Sequence, residues 1–298
     1  MEIPKIIHLT YKTNDYPQHI LEKWRQLNPD YTLTFSDNQD CYNYIEHNFS
    51  KEYANFFNRI VHGPNKADFW RLCKLFMEGG VYTDIDIEPF APIKNIILDT
   101  TFCSCIAMNS ISIFQAFLAA TPRNPLIKAC IQSFVKNAET MNLFRSAGCN
   151  TAPTGDIYNV LLRLIKRPRL QSNTIYNLKS SSNMINHRVL LLKEVMANPS
   201  KGLYGIYVKN HNNQLVLKSR FDGFEEWKNA TNIANINANI NANNNANINA
   251  NKINMLNAII PYNRKNYLIP KRVNGNKRAS RINQNSNFMP NNIIKDTY

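Results

Sequence analysis

The stretch Gly79-Gly80-Val81-Tyr82-Thr83-Asp84-Ile85-Asp86-Ile87 constrains this chain more than any other. The glycine pair stops a helix, and the residues after it suit a short strand. Successive side chains of a strand point to opposite faces. On that reading Asp84 and Asp86 share one face, and Ile85 points the other way into apolar packing. Two carboxylates projecting together at a strand end repel unless a positive charge lies between them. A hard divalent cation with oxygen ligands is the usual partner. Its open coordination positions suit a diphosphate, so the pattern points to a nucleoside-diphosphate site that works through a metal.

The preceding residues, Asn65 to Glu78, read as one helix. Pro64 stands before it, Asn65 is a candidate cap, and Gly79-Gly80 ends it. Phe69, Leu72, Cys73 and Phe76 recur at helical spacing as a core stripe. Asp68 and Arg71 are three apart and hence neighbours on the helix surface. The short Gly-Gly turn returns the chain to the Asp-bearing strand close to that pair. The simpler alternative is an exposed helix ion pair.

Upstream, Lys5–Thr10 reads as a strand, Gln18–Leu27 as a helix and Tyr31–Phe35 as a second strand. A helix through Tyr42, Ile45 and Phe49 follows, capped by Asp37 or Asn38. This order argues for an α/β fold with a mostly parallel, Rossmann-like sheet and helices on both faces. Ligands of such sheets bind beyond the carboxyl ends of the strands. His8, Thr10 and Tyr11 end the first strand, Ser36 and Asp37 follow the second, and Asp84 and Asp86 end a later one. All fall on one edge.

Taken in order, Ile3-Pro4-Lys5-Ile6-Ile7-His8, Trp24, Asn28-Pro29-Asp30-Tyr31, Phe35-Ser36-Asp37, Ala67-Asp68-Phe69-Trp70-Arg71 and Gly79 to Asp86 resemble the family-32 glycosyltransferases. These carry a DXD-containing sugar-binding region and include initiating mannosyltransferases. The resemblance covers about the first third of the chain. It implies a GT-A fold, a UDP- or GDP-sugar donor, Mn2+ or Mg2+, and transfer with retention to a glycan, protein or lipid-linked acceptor. It also implies roles: Asp84 and Asp86 as metal ligands, with Asp84 toward the ribose side; Asp68 and Arg71 on the donor sugar and phosphates. His8, Thr10, Tyr11, Ser36 and Asp37 become candidate nucleotide contacts. For His8 a buried core imidazole, and for Asp37 a helix cap, are equally simple roles. Asp68, Arg71 and Asp86 are the candidates for the chemistry itself. His187 and His211 are weaker candidates for a contact from the C-terminal half. Thr151-Ala152-Pro153 stands where many family members carry a Thr-Gly-Pro-like segment.

At 298 residues with 44% hydrophobic content, the chain has material for one large domain. No apolar run reaches the roughly 18 residues of a membrane span, and the acidic, strand-like N-terminus is unlike a signal peptide. A cytoplasmic protein, or one peripheral to a membrane, is expected. The six cysteines include no Cys-x-x-Cys pair and are expected as reduced thiols. Between Asn229 and Asn251 the chain is almost wholly Asn, Ala and Ile, with Ile-Asn-Ala-Asn units. Such a tract buries too little to offset its ordering entropy. Residues 1–228 are therefore expected as the catalytic domain, 229–254 as a linker and 255–298 as a disordered tail. From 256 onward eight Lys/Arg face the single acid Asp296, half of the net +14. That tail suits an anionic membrane surface; no specific nucleic-acid partner is expected.

Further along, Thr100–Met108 reads as a strand, Ile111–Ala120 and Pro125–Lys136 as helices, and Gly148–Asp156 as a loop feeding another helix. Leu203–Val208 and Gln214–Leu217 read as a hairpin about Asn210–Asn213. Two rival functions remain. A haloacid-type phosphohydrolase also uses Asp-x-Asp, but at its first strand and in a different context. A degenerate transferase fold serving as a binding or tethering module is the other.

Overall fold

The computed structural model describes residues 2–13, 16–145, 151–179, 186–196 and 205–230, with the isolated positions 232 and 238. The chain divides into one unit, Met1–Phe224, and a second, Glu225–Tyr298, of which residues 225–230 are helical. The rest of the Asn-rich tract, the basic tail and Cys149 lie outside the described residues.

The first unit opens with β1 (Ile6–Thr10), α1 (Gln18–Leu27), β2 (Thr32–Ser36), α2 (Asn38–Asn48), α3 (Lys51–Arg59), α4 (Gly63–Glu78) and β3 (Gly80–Thr83). β1 lies between β2 and β3 and runs parallel to both, with Thr10 opposite Ser36 and His8 opposite Tyr82. The α/β architecture expected of a GT-A fold is present. The carboxyl ends of these three strands share an edge.

Then come β4 (Glu88–Pro89), α5 (Ile93–Ile97), β5 (Phe102–Ile106), β6 (Phe117–Ala120), α6 (Pro125–Lys136) and α7 (Ala152–Ile165). β7 (Thr174–Lys179), β8 (Asn186–Met196), β9 (Ile206–Lys209) and β10 (Leu215–Ser219) complete the unit. The sheet order is β2-β1-β3-β6-β5-β8-β9-β10-β4, with β7 on β8. β5 and β8 are parallel, whereas β6 runs antiparallel to both of its neighbours. The parallel core thus continues into antiparallel strands.

Local chemistry explains the elements around the site. α1 buries Ile20, Leu21 and Trp24, and Asn28 closes it by donating Nδ2–H to the Trp24 carbonyl at 2.9 Å. Asp37 caps α2 through a reciprocal box with Asp40. α4 starts at Gly63 with Pro64 in its first turn, so Asn65 is inside the helix and buried, not its cap. Phe69, Leu72, Cys73 and Phe76 are buried as the periodicity predicts. Gly79 and Gly80 both have positive φ, at 66° and 99°. A Cβ on Gly79 would meet Pro122 Cδ at 2.6 Å, and one on Gly80 the Ile6 carbonyl at 2.8 Å, so the turn requires both glycines.

Two further expectations are corrected. Ile111–Ala120 is not a helix: its second half is β6, every residue of which is buried between β3 and β5. A short apolar run has no period to separate strand from helix. The segment before Asp156 is no loop from Thr151 onward, because α7 begins at Ala152 with Pro153 in its first turn. β7 and the long β8 have no counterpart in the sequence reading. The hairpin of β9 and β10 is present, its turn held by Asn210 Oδ1 accepting from the Asn212 and Gln214 N–H groups at 3.0 Å each. Cys41, Cys73, Cys103, Cys105 and Cys130 are buried free thiols.

Candidate active site

The Asp-x-Asp segment is a turn. β3 ends at Thr83, and the Ile87 N–H returns to the Asp84 carbonyl at 3.2 Å. Strand alternation therefore does not bring Asp84 and Asp86 together; the turn does, closely enough that the Asp86 carboxyl feels the charge of Asp84. Ile85 is buried, as expected. Burial first and the charge of Asp84 second push the Asp86 carboxyl up to about 7, with Arg220 and Arg71 opposing the shift. The turn is clamped on both sides. The Asp84 N–H donates to the Ala116 carbonyl at 2.9 Å, and the Asp86 carbonyl accepts from Phe221 N–H at 3.0 Å. Trp24 Nε1–H donates to the Ile87 carbonyl at 3.1 Å.

Arg71 joins this turn to α4. Its Nη2 lies 3.2 Å from Asp68 Oδ1 and 3.2 Å from Asp84 Oδ1. Its Nη1 donates to the Gln115 carbonyl and its Nε to the Ala67 carbonyl. The guanidinium carbon stands 4.2 Å from the centre of the Tyr82 ring, whose hydroxyl donates to Asp84 Oδ1. With only 3% of its side chain exposed, Arg71 is no surface ion-pair member. Burial raises the Asp68 carboxyl to about 6 against the opposing pull of Arg71.

Asp68, Arg71 and Asp84 line a cleft of about 320 Å3 together with Gln115, Thr154 and Glu194. The altered Thr151-Ala152-Pro153 segment reaches the same cleft through Thr151. Glu194, from β8, accepts the Met108 N–H at 2.8 Å, and burial raises its carboxyl above the usual range.

The remaining candidates divide. Thr10 Oγ1–H and Tyr11 N–H both donate to the Ser36 carbonyl, at 2.7 and 3.3 Å, so these three sit together at the β1/β2 end. The Asp37 carboxylate is engaged by the Gln39 and Asp40 N–H groups. His8 is fully buried. Its Nε2–H donates to the Gly79 carbonyl at 2.8 Å, and Nδ1 pairs with Thr34 Oγ1 at 2.9 Å. Burial lowers its pKa to about 4, so the imidazole is neutral and holds the Gly-Gly turn. His187 faces Thr101 from β8, and His211 is exposed in the β9–β10 turn. The C-terminal half reaches the turn through Arg220 and Phe221 instead. Gln115, Glu194 and Arg220 escaped the sequence reading, because isolated polar residues carry no spacing signal.

The family profile described as the glycosyltransferase sugar-binding region containing a DXD motif matches residues 14–103. Those residues are thus similar to a DXD-type glycosyltransferase region. Mannosyl phosphorylinositol ceramide synthase SUR1 of Saccharomyces cerevisiae is 27% identical over 140 residues, 44% of this chain and 34% of that protein. The initiation-specific alpha-1,6-mannosyltransferase of Candida albicans is 33% identical over 103 residues, 32% of this chain and 27% of that protein. The chain thus matches about a third of the length of these curated relatives. Among solved structures, the PaToxG glycosyltransferase aligns with a TM-score of 0.39 at 18% identity, over 54% of this chain and 69% of that one.

A divalent cation fits the donor set in one form only. Among the described residues no cluster of three or more His, Cys, Asp or Glu side chains is placed to hold a metal. Two crowded carboxylates, one already pushed up by burial and by the charge of the other, suit a cation that takes its other ligands from phosphate and water. Among the same residues, no helix is long and apolar enough to cross a membrane.

Proposed function

We propose that this chain moves a sugar from a nucleoside-diphosphate sugar to an acceptor hydroxyl, using a divalent cation held by Asp84 and Asp86. The observation that carries the reading is the convergence of Asp68, Arg71 and Asp84 on one cleft, with Asp86 beside Asp84. Bound there, Mn2+ or Mg2+ would neutralise the departing diphosphate.

The protein's own groups supply the rest. Arg71 fixes Asp68 and Asp84 relative to each other before substrate arrives, which is the preorganisation that transition-state stabilisation requires. Asp68 faces the cleft with a carboxyl able to bond sugar hydroxyls. Thr10, Tyr11 and Ser36, gathered at the neighbouring strand ends, are assigned to the nucleoside. Retention is the outcome that the family resemblance implies. Asp68 and Glu194 are the cleft carboxylates left for roles at the anomeric carbon, as neither is assigned to the cation.

Mannose is the first sugar to test, because SUR1 and the Candida protein are named for mannosyl transfer. A lipid-borne acceptor suits the exposed Met108 and Ile111, which lie between the cleft-lining Ala107 and Ser112, and the exposed Met196, two residues beyond Glu194. The test is thermal shift and donor turnover with UDP, GDP and their sugars, each with Mn2+, Mg2+ or a chelator. A ligand of the native state raises its melting temperature. Cation-dependent stabilisation by one nucleotide, and cation-dependent release of that nucleotide from its sugar, are expected. Stabilisation by none of them would overturn the reading.

A further inference from the structure

Gln115 is 97% buried, yet neither its Nε2 nor its Oε1 has a hydrogen-bond partner. A buried amide without partners costs free energy that a folded protein seldom tolerates without a reason. Because both atoms are unpartnered, exchanging them changes nothing. The backbone around it is tightly held: the Gln115 carbonyl accepts from Arg71, and the Ala116 carbonyl accepts from Asp84 N–H. Gln115 is one of the residues lining the same cleft as Asp68, Arg71 and Asp84. Neighbouring hydroxyls in that cleft are used otherwise. Ser112 donates to Asn109 Oδ1 at 2.9 Å, and Thr154 to the Thr151 carbonyl at 2.6 Å.

The chemistry of the amide selects what would satisfy it. It offers two donors and one acceptor side by side. A phosphate oxygen accepts only and would leave Oε1 unpaired, and an apolar group would satisfy neither atom. Two adjacent hydroxyls on a sugar ring both donate and accept, and match the amide edge. The cleft, at about 320 Å3, has room for a monosaccharide unit beside the carboxylate pair.

We propose that Gln115 is a specificity-determining residue for the donor sugar, its side-chain amide bonding two neighbouring ring hydroxyls. This rests on the transferase reading. A site built around a hydrogen-bonding amide rejects ligands lacking the matching groups, because the buried polar atoms are then left unpaired.

The test compares wild type with Gln115→Met, which keeps shape and removes both hydrogen-bonding atoms; Gln115→Leu serves if the methionine variant does not fold. Calorimetry in Mn2+ measures GDP against GDP-mannose and UDP against UDP-glucose, alongside melting temperature without ligand. Nucleotide-sugar affinity is expected to fall about tenfold or more, with diphosphate affinity unchanged and the ligand-free melting temperature unchanged or higher. A sugar-nucleotide affinity that stays constant, or falls in step with the diphosphate, overturns the assignment of Gln115. A wild-type protein that binds no nucleoside diphosphate overturns the transferase reading, and this assignment with it.

Discussion

Arg71 and Asp84 meet at 3.2 Å, where the end of β3 passes the middle of α4. The guanidinium satisfies two carboxylates and two backbone carbonyls from a buried position, a task that requires a planar fork. Lysine keeps the charge and loses that geometry. Arg71→Lys is expected to reduce kcat/KM about 100-fold, since charge-assisted hydrogen bonds contribute roughly 1.5–3 kcal/mol each. Its melting temperature should fall as well. Steady-state kinetics and calorimetry on the variant check both; wild-type values in each would return Arg71 to a passive role.

The two turn carboxylates should separate in stability though not in activity. Removing charge from Asp86 relieves its repulsion with Asp84, so Asp86→Asn is expected to melt at or above the wild-type temperature. Asp84 is the partner of Arg71 and of the Tyr82 hydroxyl. Asp84→Asn leaves a buried guanidinium short of a charge partner and should melt lower. Both should lose cation-dependent turnover. Turnover at the wild-type rate in both variants would remove the cation site.

His8 gives a pH dependence of defined sign. Its folded pKa, about 4, lies below the unfolded value near 6.5. Between these values the unfolded chain binds more protons, so stability is lost as pH falls from about 6.5 toward 4. The shift corresponds to about 3 kcal/mol at most. Chemical denaturation across pH 4–8 should show this limb, and His8→Gln should flatten it. An unchanged limb in the variant would assign the loss to other groups.

Truncation after Lys228 is expected to leave a folded and active transferase, with the basic segment beyond it governing attachment to anionic surfaces. Each surface-near basic residue contributes about 1 kcal/mol to such attachment. Full-length and truncated proteins are compared on a soluble acceptor, and by sedimentation with anionic vesicles at low and high salt. Loss of soluble-acceptor activity would place the segment within the catalytic unit. Equal, salt-insensitive sedimentation would remove its membrane role.

α1, α4 and α6 are legible because their apolar spacing meets strong boundary signals: the stops Asn28-Pro29 after α1 and Gly79-Gly80 after α4, and the start Asn124-Pro125 before α6. The candidate site is legible where it is local, in Asp68, Arg71, Asp84 and Asp86. The turn at Asp84–Asp86 is not, since a spacing of two residues fits a strand and a turn alike. β6 carries four buried residues and no alternation, which leaves nothing to distinguish it from a helix. Gln115, Glu194 and Arg220 reach the site only through long-range pairing: Gln115 lies 44 residues from the Arg71 that holds its carbonyl. No local pattern records that kind of contact.

The Phe221 N–H bonded to the Asp86 carbonyl, and the pairing of β10 with β4, bear on biosynthesis and on grafting. Residues 14–103 carry the recognisable signature, but their strands are completed by β6 from one side and by β10 from the other. On a ribosome the Asp-x-Asp turn cannot gain its Phe221 bond until residue 221 has emerged from the exit tunnel. For the same reason, a chimera that transplants only the signature segment into another scaffold would receive the two carboxylates without the Phe221 clamp on their turn.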